Sequence, residues 1–293
     1  MDELDFSKPA PKPQRAPAPA PAPVPVYNAA MAMDFFRAGG KPEAALGGTK
    51  FFEEDEKAGF LKHNKMYLVL EGEVMLMTKG KIVGIVKVGE IFGEMAAISE
   101  SPRTATAVAK TNCRVIALDD KDFQKALKAK PEFALMLMSL MILRLRTMIA
   151  RLAASDTNVG GAGAKESRVF DKPMLVMLAK GLGEQNTVRY DRGKTIFREG
   201  AAGVMMYVVQ DGRVALSIRG GVVDRVGPGG VFGEMALVDH AARAASALAE
   251  TDCTLLGINR NVFLNLIKAN PEFGASLLGS VAERVRYIAA RFT

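Results

Sequence analysis

The chain of 293 residues contains few of the side chains that form disulfides, metal sites and acid–base centres. It has two cysteines and two histidines. Cys113 and Cys253 lie at equivalent places of an internal repeat, which predicts that each is a core residue of its own copy and favours a reducing cytoplasm. His63 and His240 lie in unrelated places, and we find no paired carboxylates, no Cys/His cluster and no nucleophile–base arrangement. The sequence therefore predicts neither a metal site nor an enzyme.

Other absences concern membranes and nucleic acids. The opening MDELDF is acidic and has no apolar core behind it, which argues against a secretory signal. The most apolar run, residues 133–143, is eleven residues long and is followed by Arg144 and Arg146, so we expect it to be too short to cross a bilayer. The net charge of +7 is spread through the chain without a basic tract. We expect a cytoplasmic protein with neither a membrane nor DNA as partner.

Proline is concentrated at one end of the chain. Eight of the fourteen prolines lie in the first 25 residues, and such a segment is extended and cannot bury apolar surface. We interpret residues 1–29 as a tether and residues 1–12 as a candidate docking peptide for a protein partner, with an incidental disordered end as the alternative. Residues 155–167 are small and polar, which predicts a flexible linker.

Two stretches of the chain repeat one unusual pattern. Residues 92–109 read FGEMAAISESPRTATAVA and residues 232–249 read FGEMALVDHAARAASALA, a displacement of 140 positions. A shared register through both halves indicates two copies of one fold. We predict a first domain over 30–154 and a second over 168–293. The same displacement pairs residues outside the motif: Tyr67 with Tyr207, Gly72 with Gly212, Cys113 with Cys253 and Pro131 with Pro271.

Both copies follow one predicted order of elements. Short β-rich runs come first, each broken at a Glu-Gly or Asp-Gly pair that predicts a hairpin. Residues 113–119 and 253–259 predict a further strand, and two helices follow, the last opening at Pro131 or Pro271. Several short strands separated by glycine are typical of an antiparallel barrel or jelly roll. The predicted fold class is mainly β with flanking helices, as two tandem β-rolls.

The repeated motif combines groups that suit an anionic ligand. Gly93 supplies an unhindered backbone, and the residues after it can begin a helical turn whose free N–H groups face an anion. Arg103 offers a planar, permanently charged fork that suits phosphate. Because Glu94 cannot face a phosphate, we expect it to accept hydrogen bonds from sugar hydroxyls.

This pattern resembles the cyclic-nucleotide-binding domain family. In that family a phosphate-binding cassette of the form F-G-E-[LM]-A, followed by P-R-x-A-[TS], lies inside an eight-stranded β-roll. The resemblance covers the first copy from residue 65 onward and the second from about residue 185 to the end. It implies that Glu94 binds the ribose 2′-hydroxyl and that Arg103 binds the cyclic phosphate. The other residues it implies for the first site are Phe92, Gly93, Met95, Ala96, Pro102, Thr104 and Ala105, with Thr147 as a candidate to cover the base.

The second copy carries a matching but altered set. The resemblance implies a second site with the cyclic nucleotide held by Phe232, Gly233, Glu234, Met235, Ala236, Arg243, Ala244 and Ala245, with Tyr287 over the base. Ala242 stands where the family has proline, and His240 enters the same loop. A cassette that kept its fold and lost its ligand is the alternative for both sites, and it has more support at the second. Thr104, where the second copy has Ala244, predicts that the first site accepts cyclic AMP or cyclic GMP and that the second prefers cyclic AMP.

Two functions remain open from the sequence. Relatives that regulate transcription carry a helix-turn-helix after the last helix, and no residues for one follow here. The layout resembles that of the regulatory subunits of cyclic-AMP-dependent protein kinases, but residues 1–12 contain no arginine-rich inhibitor sequence, so no kinase partner is inferred. We predict a cyclic-nucleotide sensor that regulates a partner protein through its C-terminal helices. The alternative is a ligand-independent scaffold that presents the N-terminal peptide.

The final helix of the first copy also predicts association. Apolar residues follow alternating steps of three and four, a coiled-coil pattern. Further methionines and leucines widen this face beyond what one roll is expected to cover, so we predict a homodimer through helix 132–152. The equivalent face of the second copy is slimmer and is expected to pack on its own roll. The residues of the predicted seam are Leu135, Met138, Ile142, Leu145, Ile149 and Leu152.

Overall fold

A computed structural model describes residues 27–59, 63–99, 101–154 and 168–289. Residues 1–26 of the predicted tether and the whole predicted linker, 155–167, lie outside the described residues. The predicted domain boundaries remain predictions, and the helix that opens the first copy begins at Ala29.

The two copies have closely similar element orders. The second begins with a helix and a short 3-10 turn (Glu184–Asn186) before its first strand. The elements of the first copy are α1 (Ala29–Gly39), β1 (Lys41–Ala45), β2 (Lys50–Phe52), β3 (Lys65–Glu71), β4 (Val74–Thr78), β5 (Lys81–Val86), β6 (Ile91–Phe92), α2 (Glu94–Ser99), β7 (Thr106–Ala109), β8 (Cys113–Asp119), α3 (Asp120–Ala129) and α4 (Glu132–Ala154). Those of the second are α5 (Lys172–Leu182), β9 (Thr187–Tyr190), β10 (Thr195–Phe197), β11 (Met205–Asp211), β12 (Val214–Ile218), β13 (Gly221–Val226), β14 (Val231–Phe232), α6 (Glu234–Asp239), β15 (Ser246–Ala249), β16 (Cys253–Asn259), α7 (Arg260–Ala269) and α8 (Pro271–Ala289).

Each copy is a β-roll of two four-stranded antiparallel sheets. In the first copy the strand orders are β1-β8-β3-β6 and β2-β7-β4-β5, and in the second they are β9-β16-β11-β14 and β10-β15-β12-β13. Apolar side chains from both sheets fill the space between them, including the free thiols of Cys113 and Cys253. The predicted fold class is confirmed, and each cysteine lies in the core of its own copy.

The predicted Glu-Gly and Asp-Gly hairpins are wrong. β3 pairs with β6 and β8, whereas β4 pairs with β5 and β7, so the chain changes sheet at Gly72 instead of folding back on itself. Gly72 has a φ of 85°, and a Cβ there would lie 2.3 Å from the carbonyl oxygen of Asn112. Glycine is thus required at a crossing between sheets, where the sequence pattern was interpreted as a two-residue turn. The tight hairpins of the rolls lie at Lys79–Gly80 and Arg219–Gly220, both with positive φ.

The displacement between the copies changes ahead of β3. Tyr67 and Tyr207 differ by 140 positions, whereas Phe52 and Phe197, which occupy equivalent ends of β2 and β10, differ by 145. The first copy therefore has five more residues between these elements. The strands before residue 65 are therefore present but out of register with the offset of 140.

The long C-terminal helices of the two copies pack against each other. As predicted, they open at the proline positions, α4 just after Pro131 and α8 at Pro271. Ile142 and Leu145 of α4 are buried in one apolar cluster with Leu278 and Val281 of α8. Three residues of the predicted homodimer seam, Met138, Ile142 and Leu145, are buried within this chain, so they are not available to a second molecule as packed here. A homodimer through this helix remains a prediction. The expectation that α8 packs only on its own roll is wrong, because α8 also packs against α4.

α4 is longer than its apolar run suggested. Arg144 and Arg146, taken from the sequence as the end of the run, lie inside the helix. The stretch Glu132–Ala150 has a mean hydropathy of 1.8 and is long and apolar enough to cross a membrane, which corrects the expectation from the sequence. Half of that stretch is buried inside the structure, and a helix in the core of a protein passes the same test.

Candidate functional site

The site of each copy lies where a short strand ends and a short helix begins. α2 begins at Glu94 and α6 at Glu234, directly after glycines with φ of 75° and 81°. A Cβ on Gly93 would lie 2.9 Å from the carbonyl oxygen of Lys65 and 3.1 Å from Nη1 of Arg103. Only glycine lets the backbone turn this closely against the arginine. The predicted helical turn after each glycine is confirmed.

The two cassette arginines share two contacts, and Nη2 of Arg243 also donates to the carbonyl oxygen of Met205 at 2.6 Å. Nη1 of Arg103 donates to the carbonyl oxygen of Gly93 at 2.9 Å, and its Cζ lies 4.0 Å from the ring centre of Phe52. Arg243 makes the matching bond to Gly233 at 2.8 Å and lies 4.0 Å from the ring centre of Phe197. A guanidinium stacked on a ring is fixed in orientation as well as in position.

Both cassette arginines are buried without a carboxylate partner among the described residues. Arg103 is 4% exposed and Arg243 is 6% exposed, and burial lowers the pKa of each. Nε of each has no hydrogen-bond partner, and within the described part of the chain neither forms a salt bridge with a carboxylate. Since a buried charge without a counter-ion is costly, the arrangement suits an anion that binds at Nε.

The cassette glutamates are paired with arginines from the last helices. Nη1 of Arg144 on α4 donates to Oε1 of Glu94, and Glu94 raises the pKa of Arg144. In the second copy, Nη1 of Arg284 on α8 donates to Oε1 of Glu234 at 2.6 Å. Each glutamate is almost fully buried, with 3% and 1% of its surface exposed. Because one carboxylate carries about four lone-pair sites, each can still accept from a ligand hydroxyl.

Sequence reasoning missed four of these side chains. Arg144 and Arg284 are separated by the same 140 positions as the cassettes, and that periodicity was the available signal. Phe52 and Phe197 are separated by 145 positions, so the fixed offset concealed them.

The first site borders a cavity of about 450 Å³. Arg103 and Glu94 line it together with Thr104 and Ala105, as the sequence predicted. A cavity of this size suits a small-molecule ligand. It is also lined by residues that were not predicted: Tyr27, Phe52, Leu76, Gly84, Ile85, Val86, Glu90, Ile91, Leu140 and Arg144.

The remaining predicted residues of the first site differ in burial. Phe92, Met95 and Ala96 are buried and line the cavity, and the Phe92 ring also stacks on Tyr67 with centroids 4.9 Å apart. Pro102 is half-buried beside Arg103. Thr147 is exposed on α4, where its hydroxyl donates to the carbonyl oxygen of Leu143 at 2.9 Å. A role for Thr147 over the base remains a prediction.

The second site differs from the first at Gly203, beside Arg243, and at Asp224, beside Arg284. A Cβ on Gly203 would lie 2.6 Å from Cβ of Ala236 and 2.8 Å from Nε of Arg243, so only the bare backbone fits there. Asp224 replaces Gly84 of the first copy, and its carboxylate lies 3.5 Å from Nε of Arg284. Burial raises the pKa of Asp224 despite that arginine. The second site therefore contains a carboxylate that the first does not have at this position.

The other predicted residues of the second site occupy the cassette or the last helix. Phe232 and Ala236 are buried, and Met235, Ala244 and Ala245 are half-buried. Tyr287 is 42% exposed on α8, so its predicted place over a base stays a prediction.

His240 belongs to the loop, as the sequence indicated. It ends α6 with a φ of 54°, a conformation that non-glycine residues adopt rarely. Burial and the charge of Arg260 lower the pKa of His240. Across the described ranges, no group of three or more His, Cys, Asp or Glu side chains is arranged to hold a metal ion.

The architecture and the paired cassettes define a family. The sequence profile described as "Cyclic nucleotide-binding domain" matches residues 52–130 and 187–270, once in each roll. These matches cover more than half of the chain, and the chain belongs to the cyclic nucleotide-binding domain family.

Several known proteins are similar to parts of this chain. A "cAMP-dependent protein kinase regulatory subunit" from Eremothecium gossypii is 29% identical over 69% of this chain and 39% of its own length. The "Cyclic AMP receptor protein" of Thermus thermophilus is 39% identical over 33% of this chain and 47% of its own length. The chain therefore spans less than half the length of both relatives. The crystal structure of Thermus thermophilus Catabolite Activator Protein is 34% identical and covers 43% of this chain and 62% of that one, with a TM-score of 0.38, too low to carry an argument about the site.

Proposed function

We propose that the protein is a cyclic-nucleotide sensor that binds cyclic AMP, with cyclic GMP as a second ligand of the first site, and that ligand binding regulates a partner protein. The cyclic phosphate binds Nε of Arg103 or Arg243, and the ribose 2′-hydroxyl donates to Glu94 or Glu234. The names of the relatives, a kinase regulatory subunit and a cyclic AMP receptor, support a regulatory and non-catalytic role.

One observation carries this proposal: among the described residues, each copy buries a cassette arginine that has neither a hydrogen-bond partner at Nε nor a carboxylate partner. Nε of Arg284 also lacks a hydrogen bond, but that arginine is paired with Glu234. Each arginine is already fixed by a backbone carbonyl and an aromatic ring, so little reorganisation is needed when an anion binds. A scaffold that used these arginines only for stability would be expected to pair them with carboxylates. The absent counter-ion therefore favours the sensor over the ligand-independent scaffold.

The helices α4 and α8 provide a route from ligand to partner. Arg144 and Arg284 hold the same carboxylates that the ribose would use. A ligand that changes how Glu94 shares its lone pairs changes the contact that fixes α4 over the cavity. A conformational change follows only to the extent that ligand binds the two helix positions unequally.

The partner and the compartment complete the proposal. The free thiols of Cys113 and Cys253 are consistent with a reducing cytoplasm. A protein partner, bound through residues 1–12 or through surfaces that change when α4 and α8 move, receives the signal. The scaffold that displays residues 1–12 without ligand is the second candidate.

Isothermal titration calorimetry with cyclic AMP and cyclic GMP tests the proposal. We expect heat of binding from wild type and none from the double variant Arg103→Ala with Arg243→Ala. Circular dichroism of the double variant controls for loss of fold. A wild-type protein that binds neither nucleotide at millimolar concentration would leave the scaffold as the better function.

A further inference from the structure

The first roll exposes an apolar edge strand. β5 is the last strand in the sheet order β2-β7-β4-β5, so one of its backbone edges pairs with no strand among the described residues. Ile82, Val83 and Ile85 on this strand are 62%, 62% and 41% exposed, and Val88 just after it is 61% exposed. Exposed apolar edges invite pairing with another extended segment, and native proteins usually cover or interrupt them.

The second copy is less apolar and less exposed at the equivalent positions, although β13 is likewise the last strand of its sheet. Val223 is equivalent to Val83 in register, and only 8% of it is exposed. Arg225 replaces Ile85 and is paired with Glu250 at 2.9 Å. The chain that enters this copy runs along the adjacent turn, where the amides of Val169 and Phe170 donate to the carbonyl oxygen of Gly229.

The chain enters the first copy beside the equivalent turn, which contains Gly89. The Tyr27 hydroxyl donates to the carbonyl oxygen of Gly89, three residues after the end of β5. Residues 7–26, which precede it, span up to about 60 Å when extended. Residues 1–6 are therefore tethered within reach of the exposed edge, and a tether of this kind gives an effective concentration on the order of millimolar.

Charge identifies the occupant. Lys81 and Lys87 are exposed at the two ends of β5. A second copy of β5 would bring lysine against lysine, so self-pairing is opposed. Residues 1–6, MDELDF, combine three acidic side chains with Met1, Leu4 and Phe6, and so complement both the lysines and the apolar residues.

We propose that residues 1–6 dock in cis on the exposed edge of β5, with their acidic side chains facing Lys81 and Lys87. Backbone hydrogen bonds of an added strand would supply affinity, and the alternating side chains would supply specificity. Since Gly84, Ile85 and Val86 of β5 also line the cavity of the first site, this docking places the N-terminal segment at the wall of that cavity.

Hydrogen exchange of the full-length protein without nucleotide tests the docking. The decisive variant carries Asp2→Lys, Glu3→Lys and Asp5→Lys. We expect the amides of residues 81–88 to exchange about tenfold faster in it than in wild type, the factor expected if the effective concentration of the tether exceeds the intrinsic dissociation constant tenfold. Adding Lys81→Glu and Lys87→Glu to this variant should restore the protection.

The control variant, Lys8→Glu with Lys12→Glu, changes charge in the same segment outside MDELDF and should keep the protection. Equal exchange in wild type and the lysine variant would overturn the proposal. So would protection that rises with protein concentration, because it would identify a second copy as the occupant. Neither readout depends on nucleotide binding, so the result is separate from the proposed function.

Discussion

Arg146 of α4 forms a two-point ion pair with Asp239, the last residue of the cassette helix α6 in the other domain. Nε and Nη2 of Arg146 donate to the two carboxylate oxygens of Asp239, the second bond at 3.0 Å. Oδ1 of Asp239 also accepts from the amide of Ala241, which leads to Arg243. Arg144, two residues away on the same helix, holds Glu94 of the first site. One helix therefore contacts the cassettes of both sites.

This contact predicts that the second site depends on a residue of the first domain. Arg146→Gln should weaken nucleotide binding at the second site by on the order of 1 kcal/mol, about fivefold, because Asp239 loses a partly buried charged partner and the loop before Arg243 loosens. Calorimetry in an Arg103→Ala background isolates that site. Arg286→Gln, at the equivalent position of α8, is the control. Equal affinity in the Arg146 and Arg286 variants would contradict the prediction.

The cassette arginines should each control one site. Arg103→Ala is expected to cost the first site ~2–5 kcal/mol, on the order of 30- to 5,000-fold in affinity, and to leave the second site bound. Arg243→Ala should do the reverse. Titration of each single variant should therefore give half the wild-type stoichiometry. Arg103→Lys keeps the charge without the two-pronged geometry. Its affinity at the first site should lie between those of wild type and Arg103→Ala. Full stoichiometry in both alanine variants would rule out these arginines as the phosphate ligands.

Base choice should follow the residue after each arginine. Thr104 lines the first cavity, whereas Ala244 has no hydroxyl to offer. We expect Thr104→Ala to weaken cyclic GMP at the first site by on the order of 1 kcal/mol, the value of one hydrogen bond, with little change for cyclic AMP. Ala244→Thr should shift the second site toward cyclic GMP. Competition titrations measure both, and unchanged cyclic GMP affinity in Thr104→Ala would remove Thr104 from the base pocket.

The second site should bind more tightly when its extra carboxylate is neutralised. Asp224 lies beside Arg284, and the equivalent residue of the first copy, Gly84, has no carboxylate. Its negative charge opposes an anionic ligand, so Asp224→Asn should raise the affinity of the second site by on the order of 1 kcal/mol, about fivefold. Asp211→Asn, which removes a charge at the end of β11, is the control. Weaker binding in Asp224→Asn would show that the carboxylate contacts the ligand favourably.

Local pattern predicted what the motif itself contains. The cassette helix, its glycine and its arginine were placed correctly because each depends on a few adjacent residues. Residues 113–119 and 253–259 were predicted as strands with the bounds that the structure shows. The pairing of strands was not predictable in this way: Glu71-Gly72 fits a hairpin locally, and only the second sheet shows that the chain crosses there.

The parts of the site that the sequence missed come from distant segments. Arg144 reaches Glu94 across fifty positions, and Phe52 reaches Arg103 across an insertion that breaks the offset. The apolar surface of α4 was correctly recognised as a seam, but the sequence could not tell which helix would cover it. An internal repeat offers an equivalent helix within the same chain. Because the two copies are covalently linked, that helix is more available than one from a second molecule.

The seam inside the chain predicts a stability effect rather than a change of oligomer. Ile142 is fully buried against the helix cluster, whereas Leu143, the next residue, is 60% exposed. Ile142→Glu should lower the free energy of unfolding by at least about 2–5 kcal/mol, the range for removing such a core side chain, since it also buries a charge. Leu143→Glu should change it by less than about 0.5 kcal/mol, as surface substitutions usually do. Urea denaturation followed by circular dichroism measures both variants. Sedimentation tests the opposing interpretation. If the Ile142→Glu protein keeps its stability but changes from dimer to monomer, the seam lies between molecules.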